Sequence, residues 1–228
     1  MKHLIDNMHF LEQYKTFIFD FDGTLVDSMP YFSKTVYSAL DSYGAKYPDN
    51  VIEISTPLGY VGTAEYMISE LGVKASVEDI VSLMHGVAYE YYRDLVPLKD
   101  GVFEFLSKMK RNGCCLNILT ASPHKVLDVC LKRLGVYEMF DRVDSCEDYA
   151  TTKSDVRIYS MMAEKLGKDV SEIAFFDDNI VSVSTAKKSG MFAVGVYDKS
   201  GESFKNKLKA MADAYVNSFD ELIFSDKN

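Results

Sequence analysis

Asp20 and Asp22 stand two residues apart in FIFDFDGTLVDS, residues 17–28, where an apolar run ends. Charged groups are seldom buried unless they are paired, hydrogen-bonded or metal-bound. Thr16-Phe17-Ile18-Phe19 reads as a strand buried on both faces. Side chains alternate along a strand, so the two carboxylates begin on the same side. Like charges this close call for a cation or a shared proton. Other polar residues follow apolar runs in the same way: Asp177-Asp178-Asn179 after Ile173-Ala174-Phe175-Phe176, and Thr120-Ala121-Ser122 after Cys115-Leu116-Asn117-Ile118-Leu119. Lys153 lies in a further polar segment, ATTKSD.

These residues need a scaffold, and the second half of the chain supplies its pattern. Besides the two runs above, strands are expected near Arg142 to Cys146, at Ala193 to Tyr197 and at Ala214 to Val216. Helical patterns separate them near residues 101–111, 124–134, 154–166 and 180–189, with Gly113, Gly135, Gly167 and Gly190 closing the segments. Strand and helix in alternation imply an α/β fold, a doubly wound parallel sheet with helices on both faces. Ligands of such sheets bind beyond the carboxyl ends of the strands. That rule selects Asp20 to Thr24, Thr120 to Ser122, the segment around Lys153, and Asp177 to Asn179.

Residues 28–95 break the alternation. Helices are expected at Pro30 to Ser42, Thr63 to Leu71 and Ser76 to Leu95, with no evident strand between them. This reads as an all-helical insertion after the first strand, leaving residues 1–27 and 96–228 as the core.

The 228 residues carry a net charge of −9, with 47% hydrophobic and 26% charged residues. That is an ordinary globular balance, and the acidity argues against nucleic acid as a main partner. MKHLIDNMHFLEQYK lacks the apolar run of a signal peptide, and no stretch is long enough to cross a bilayer. The four cysteines, Cys114, Cys115, Cys130 and Cys146, form no CxxC pair, so a reduced, cytoplasmic setting is expected.

Together the four loops resemble the haloacid dehalogenase superfamily, in its phosphatase and β-phosphoglucomutase-like branch with a helical cap. DFDGTLVDS matches the first motif, ILTAS the second, Lys153 the third and FFDDN the fourth, while PLKDGVFEFL is similar to the return into the core after the cap. The resemblance implies a Rossmann-like core with a cap at residues 28–95. It makes Asp20 the nucleophile, forming an aspartyl-phosphate, and Asp22 the group that protonates the leaving oxygen and then activates water. Gly23, Thr24, Thr120 and the Ala121 amide would hold the phosphoryl group, and Lys153 would neutralise both that group and Asp20. Asp20, Asp22, Asp177 and Asp178 would hold Mg²⁺, Asp22 through its main-chain carbonyl.

Two features narrow the branch. Members that remove halide lack the second aspartate of the first motif, and Asp22 is present. Phosphoglucomutase-like members carry a cap arginine, and TPLGYVGTAEY contains neither arginine nor lysine. The expected activity is therefore phosphatase on a small phosphorylated metabolite, by a monomer or homodimer away from membranes. A phosphomutase and a non-catalytic phosphate-binding protein are the rival readings. The fourth motif departs from the family pattern, with Ser182 or Val183 where a later acid is usual.

Simpler roles remain open for several residues. Asp177 or Asp178 could cap the helix starting near Ile180, Thr120 could cap another, and Lys153 could be solvated. His85 and His124 lack ligand-like spacing. Tyr89, Tyr91 and Tyr92 read as a packing face. Tyr31 and Tyr60, with Phe32 and Met67, are cap candidates for substrate contact or for packing.

Overall fold

A computed structural model describes residues 10–223; residues 1–9, which include most of the stretch read for a signal peptide, lie outside the described residues. The chain divides into two compact units, one of Met1–Asp27 with Pro97–Asn228 and one of Ser28–Val96. Among the described residues no helix is long and apolar enough to cross a membrane.

The Ser28–Val96 unit is helical: α1 (Met29–Ser42), α2 (Val51–Ser55), α3 (Gly59–Ser69) and α4 (Val77–Asp94). Pro30 starts α1, and Ser76 caps α4 through a reciprocal pair of bonds with Asp79. Val36, Ala39, Leu40, Ala64, Met67, Ile80 and Met84 form its buried centre. Five residues are too few to display helical periodicity, which is why α2 is silent in the sequence.

In the other unit, β1 (Thr16–Phe19) lies inside a six-stranded sheet with β2 (Cys115–Thr120), β3 (Arg142–Ser145), β4 (Ile173–Asp177), β5 (Phe192–Val196) and β6 (Ala214–Val216). The order is β3-β2-β1-β4-β5-β6, and every pairing is parallel. The connecting helices are α5 (Val102–Arg111), α6 (His124–Arg133), α7 (Arg157–Leu166), α8 (Ile180–Ser189) and α9 (Lys205–Met211). Helix α7 starts three residues later than its periodicity suggests, because the Asp155 side chain accepts the Arg157 N–H at 2.9 Å and opens the helix there.

Alternation along the strands sorts the core into two layers. Ile18, Ile173 and Phe175 pack with Ile158, Tyr159, Met162, Val183 and Ala186 of α7 and α8. Phe19 and Phe176 meet Phe105 of α5 and Phe219, and Phe17 meets Phe19 and Phe176, with ring centroids 4.9–6.4 Å apart. Each fully buried side chain of this size contributes about 1.5–3 kcal/mol. The chain leaves β1 toward β2 on one side and later returns to β4 on the other. The direction of winding therefore reverses between β1 and β4, where such sheets open a crevice at their carboxyl ends.

Candidate active site

The strand register brings the acids together. Phe19 pairs with Phe176, and the Asp20 N–H continues the ladder by donating to the Phe176 carbonyl at 2.8 Å. Asp20 and Asp177 thus end neighbouring strands, each two residues beyond a core residue (Ile18 and Phe175) of the α7–α8 face. Lys153 arrives on that face just before α7. Its Nζ lies 2.6 Å from Asp20 Oδ1 and 2.6 Å from Asp177 Oδ2. All three side chains are buried.

Gly23 decides how closely the next acid approaches. The turn after Asp22 is closed by the Gly23 N–H donating to the Val26 carbonyl, and by the Leu25 and Val26 N–H groups donating to Phe21. Gly23 has φ +73°, and a Cβ there would stand 2.6 Å from Asp178 Oδ2. Only glycine allows both the conformation and the contact. Thr24 then fixes Asp178, its Oγ1 donating to Asp178 Oδ1 at 3.0 Å and accepting from the Asp178 N–H at 3.1 Å.

Asp20, Asp177 and Asp178 each present one carboxylate oxygen, all within 4.8 Å of one another. With the Lys153 ammonium the fully ionised group carries a net charge of −2. The crowding is visible in the protonation equilibria. Burial pushes the Asp20 carboxyl up to about 7; Lys153 opposes the shift, and Asp177 and Asp22 add to it. Burial, then Asp177, Asp20 and Asp198, raise Asp178 well above the carboxylate range. For Lys153, burial works against the charge, but Asp177 and Asp20 outweigh it and hold the ammonium above its ordinary range. An all-oxygen, electron-rich donor set short of positive charge fits a hard divalent cation such as Mg²⁺.

Asp22 takes a different course from the other acids. Its Oδ2 accepts from Ser122 Oγ at 2.5 Å, so the carboxylate is directed to the loop after β2. The three-acid cluster does not include it. Thr120, the last residue of β2, is buried, and its Oγ1 accepts the Ser122 N–H at 3.1 Å, which shapes the loop around Ala121. The core unit therefore gathers Asp20, Asp22, Gly23, Thr24, Thr120, Ala121, Lys153, Asp177 and Asp178 at one end of its sheet.

The simpler roles go to other residues. Asn179, not Asp177 or Asp178, caps α8, its Oδ1 accepting from Val181 and Ser182. Pro123 precedes α6, and no side chain caps that helix. His124, at the start of α6, lies 2.9 Å from Asp148 and 3.4 Å from Asp128, and the hydrogen bond to Asp148 leads in raising its pKa. In the helical unit the Tyr31 ring lies tilted against Tyr91 at 5.4 Å, with Lys34 Nζ 4.8 Å from the Tyr31 ring centroid. Tyr60 meets Phe32 at 5.4 Å and His85 at 5.2 Å.

Two contributors escaped the sequence reading. Ser122 was noticed only as part of a loop, not as the partner of Asp22. Tyr159 is fully buried, and its hydroxyl shares its proton between the carbonyls of Lys153 at 2.9 Å and Ser182 at 3.0 Å. It anchors the main chain that carries Lys153. At helical spacing within α7 it is indistinguishable from an ordinary core aromatic.

Residues 14–190 match the model of the haloacid dehalogenase-like hydrolases. The chain belongs to that family. It is 28% identical over 182 residues to the pyrophosphatase PpaX of Bacillus velezensis, a match covering 78% of this chain and 81% of that one. It is 25% identical over 199 residues to the phosphorylated carbohydrates phosphatase of Thermotoga maritima, covering 87% and 92%. Among solved structures, CbbY from Rhodobacter sphaeroides in complex with phosphate has a TM-score of 0.76 at 18% identity, over 92% of this chain and 96% of that one. The β-phosphoglucomutase of Clostridium difficile gives 0.74 at 18%, over 93% and 95%. These structures share the fold. The protein is an enzyme of the haloacid dehalogenase-like hydrolases, and the names of these sequence relatives describe phosphate-releasing hydrolysis, of an anhydride in one and of phosphorylated carbohydrates in the other. For such a hydrolase the buried Asp20–Lys153–Asp177 array at the β1–β4 crevice is the natural place for chemistry.

Proposed function

We propose that the protein is a Mg²⁺-dependent phosphoric monoester hydrolase that acts on a small phosphorylated metabolite through an aspartyl-phosphate on Asp20. The observation that carries this reading is the division of labour between the two acids of the first motif. Asp20 is held in a buried array with Lys153, whereas Asp22 is turned away to Ser122. One carboxylate is fixed and neutralised; the other is kept free of the acid cluster for proton transfer.

In the first half-reaction an Asp20 oxygen attacks phosphorus and the ester P–O bond breaks. Asp22 gives its proton to the departing alkoxide, which leaves as an alcohol. Water then attacks the same phosphorus, Asp22 takes the proton, and the Asp20–phosphate bond breaks to release inorganic phosphate. Lys153 and the amides around Thr120 and Ala121 stabilise charge on the transferring group. Mg²⁺ held by Asp20, Asp177 and Asp178, with the Asp22 carbonyl, would screen the repulsion between an anionic nucleophile and an anionic substrate. Ser28–Val96 serves as the cap, with Tyr31 and Tyr60 as substrate-contact candidates. A reduced, cytoplasmic setting agrees with four cysteines that form no disulfide, and the protein acts as a monomer or homodimer.

The test is phosphate release from phosphorylated sugars, polyols and glycolate, with and without Mg²⁺. Wild type should release inorganic phosphate and Asp20→Asn should not. Conversion of a sugar phosphate to its isomer without phosphate release would overturn the hydrolase reading in favour of a phosphomutase. Unchanged turnover by Asp20→Asn would remove Asp20 as nucleophile.

A further inference from the structure

A lysine outside the four motif loops is fastened to the active-site turn. Leu25–Asp27 and Pro97–Lys99 run antiparallel where the chain leaves for the helical unit and returns from it. The Lys99 N–H donates to the Leu25 carbonyl at 3.0 Å, and the Asp27 N–H donates to the Pro97 carbonyl at 3.0 Å. From this ribbon the Lys99 side chain reaches back to the turn after β1. Its Nζ donates to the Gly23 carbonyl at 2.6 Å, to the Tyr197 carbonyl at 2.5 Å and to Asp198 Oδ2 at 3.1 Å. An ammonium has three hydrogens, and these partners use all of them. Lys99 therefore has no donor left for a ligand, and its role differs from that of Lys153.

The partners on the far side are themselves fixed. Tyr197 continues the sheet, its N–H donating to the Val216 carbonyl at 2.9 Å. Asp198 is buried, and its Oδ1 accepts from the Ser200 N–H at 2.9 Å and Oγ at 2.6 Å. Lys99 thus ties the Asp22–Gly23–Thr24 turn to the end of β5, across the crevice from Ser122. The Gly23 carbonyl belongs to the peptide that links Gly23 to Thr24. Asp22 precedes that peptide, and Thr24 holds Asp178. A bond to a charged donor is roughly twice as strong as a neutral one. It acts here on a glycine, the residue with the most backbone freedom to lose.

We infer that Lys99 is a positioning residue: by holding the Gly23 carbonyl it fixes the turn that sets Asp22 and Asp178 in place. The consequence for turnover rests on the phosphatase reading above; the tether itself does not.

The experiment compares wild type, Lys99→Met, and the double variant Lys99→Met/Asp198→Asn. The double variant removes the buried charge that the single change leaves unpaired. Hydrogen–deuterium exchange of the peptide spanning residues 20–27 is measured beside steady-state hydrolysis of a phosphate monoester that wild type cleaves. In both variants the Gly23, Leu25 and Val26 amides should exchange faster, while β2 and β3 exchange as in wild type. Turnover should fall about 10- to 100-fold with KM changed by less than about threefold, since displaced catalytic groups cost rate more than binding. Recovery of wild-type kcat in the double variant would overturn the inference, because it would reduce Lys99 to a counter-ion for Asp198. Unchanged exchange at residues 20–27 in Lys99→Met would overturn it as well. A wild-type protein that cleaves no phosphate ester would sink the phosphatase reading alone, and the exchange measurement would still decide the tether.

Discussion

Replacing Lys153 with methionine keeps the length and most of the volume of the side chain and removes only its charge. In the native site that charge lies 2.6 Å from Asp20 and 2.6 Å from Asp177, with all three groups buried. At an effective dielectric constant of about 20, Coulomb attraction at this separation is about 6 kcal/mol per pair, before desolvation is subtracted. Measured losses from removing one partner of a buried pair run to about 3–5 kcal/mol, and that is the expected destabilisation at neutral pH. For a chain of this size it corresponds to a fall in Tm of about 6–20 °C.

The loss should depend on pH, and its sign follows from Asp20. Its carboxyl already lies at about 7 in the folded protein, and without Lys153 it must rise further. A carboxyl raised on folding contributes stability below its unfolded pKa and loses that contribution as pH climbs through the folded value. The part of the deficit that comes from Asp20 should therefore be small at about pH 5 and full at about pH 8, so the variant falls further below wild type as pH rises. Thermal melts of both proteins across that range, in chelator, measure the difference. With Mg²⁺ present, kcat should drop by at least about 10²–10³, the usual loss for one preorganised charge-stabilising donor. A Tm deficit independent of pH would refute the charge argument. Turnover within tenfold of wild type would refute the catalytic one.

Other perturbations probe the same geometry. Gly23→Ala should cost about 1–2 kcal/mol for its positive φ and displace Asp178, whose Oδ2 is 2.6 Å from the new Cβ. Denaturant melts and Mg²⁺ titration would show both effects, and unaltered metal affinity would count against Asp178 as a ligand. Ser122→Ala removes the donor that aims Asp22 and should lower kcat about tenfold with little change in KM; a rise in KM alone would place Ser122 with substrate binding instead. Because Asp20 is raised to about 7 and Asp178 is raised too, divalent cation binding should release protons near neutral pH. Calorimetry in two buffers of different ionisation heat measures that release, and a pH-independent affinity would argue that the cluster is already fully ionised.

The sheet was legible because its strands are short apolar runs alternating with glycine-closed helical patterns; the order of its strands was not, because right-handed crossovers allow winding in either direction from β1. The motif acids were legible for the opposite reason: Asp20 and Asp177 interrupt runs that burial should have kept apolar. What stayed hidden lacks any such contrast. Tyr159 has the spacing of a core residue, and the hydroxyl contact that makes it useful is a three-dimensional fact. Lys99 stands beside Asp100 and Gly101 in the return segment, where a lysine at a turn calls for no explanation. Strand limits moved by one residue because Thr120 and Asp177 are polar, yet they still form ladder pairs with Ser145 and Gly195. Polarity suggested that each strand had ended; the backbone continued.

Charge balance explains why so many acids are tolerated at the β1–β4 crevice. Lys153 pairs directly with Asp20 and Asp177, whereas Asp178 accepts from the neutral Thr24 hydroxyl and lies against the glycine turn of the first motif. The fully ionised group is left at −2, and the upward shifts of Asp20 and Asp178 follow from that deficit together with burial. A protonated Asp20 is a poor nucleophile, so protonation is not a working solution to the repulsion. A divalent cation removes the same deficit and leaves Asp20 ionised. The Asp22 carboxylate lies outside that three-acid cluster and accepts from Ser122 Oγ, so the two acids that the proposed reaction uses as nucleophile and proton donor are placed apart by the fold.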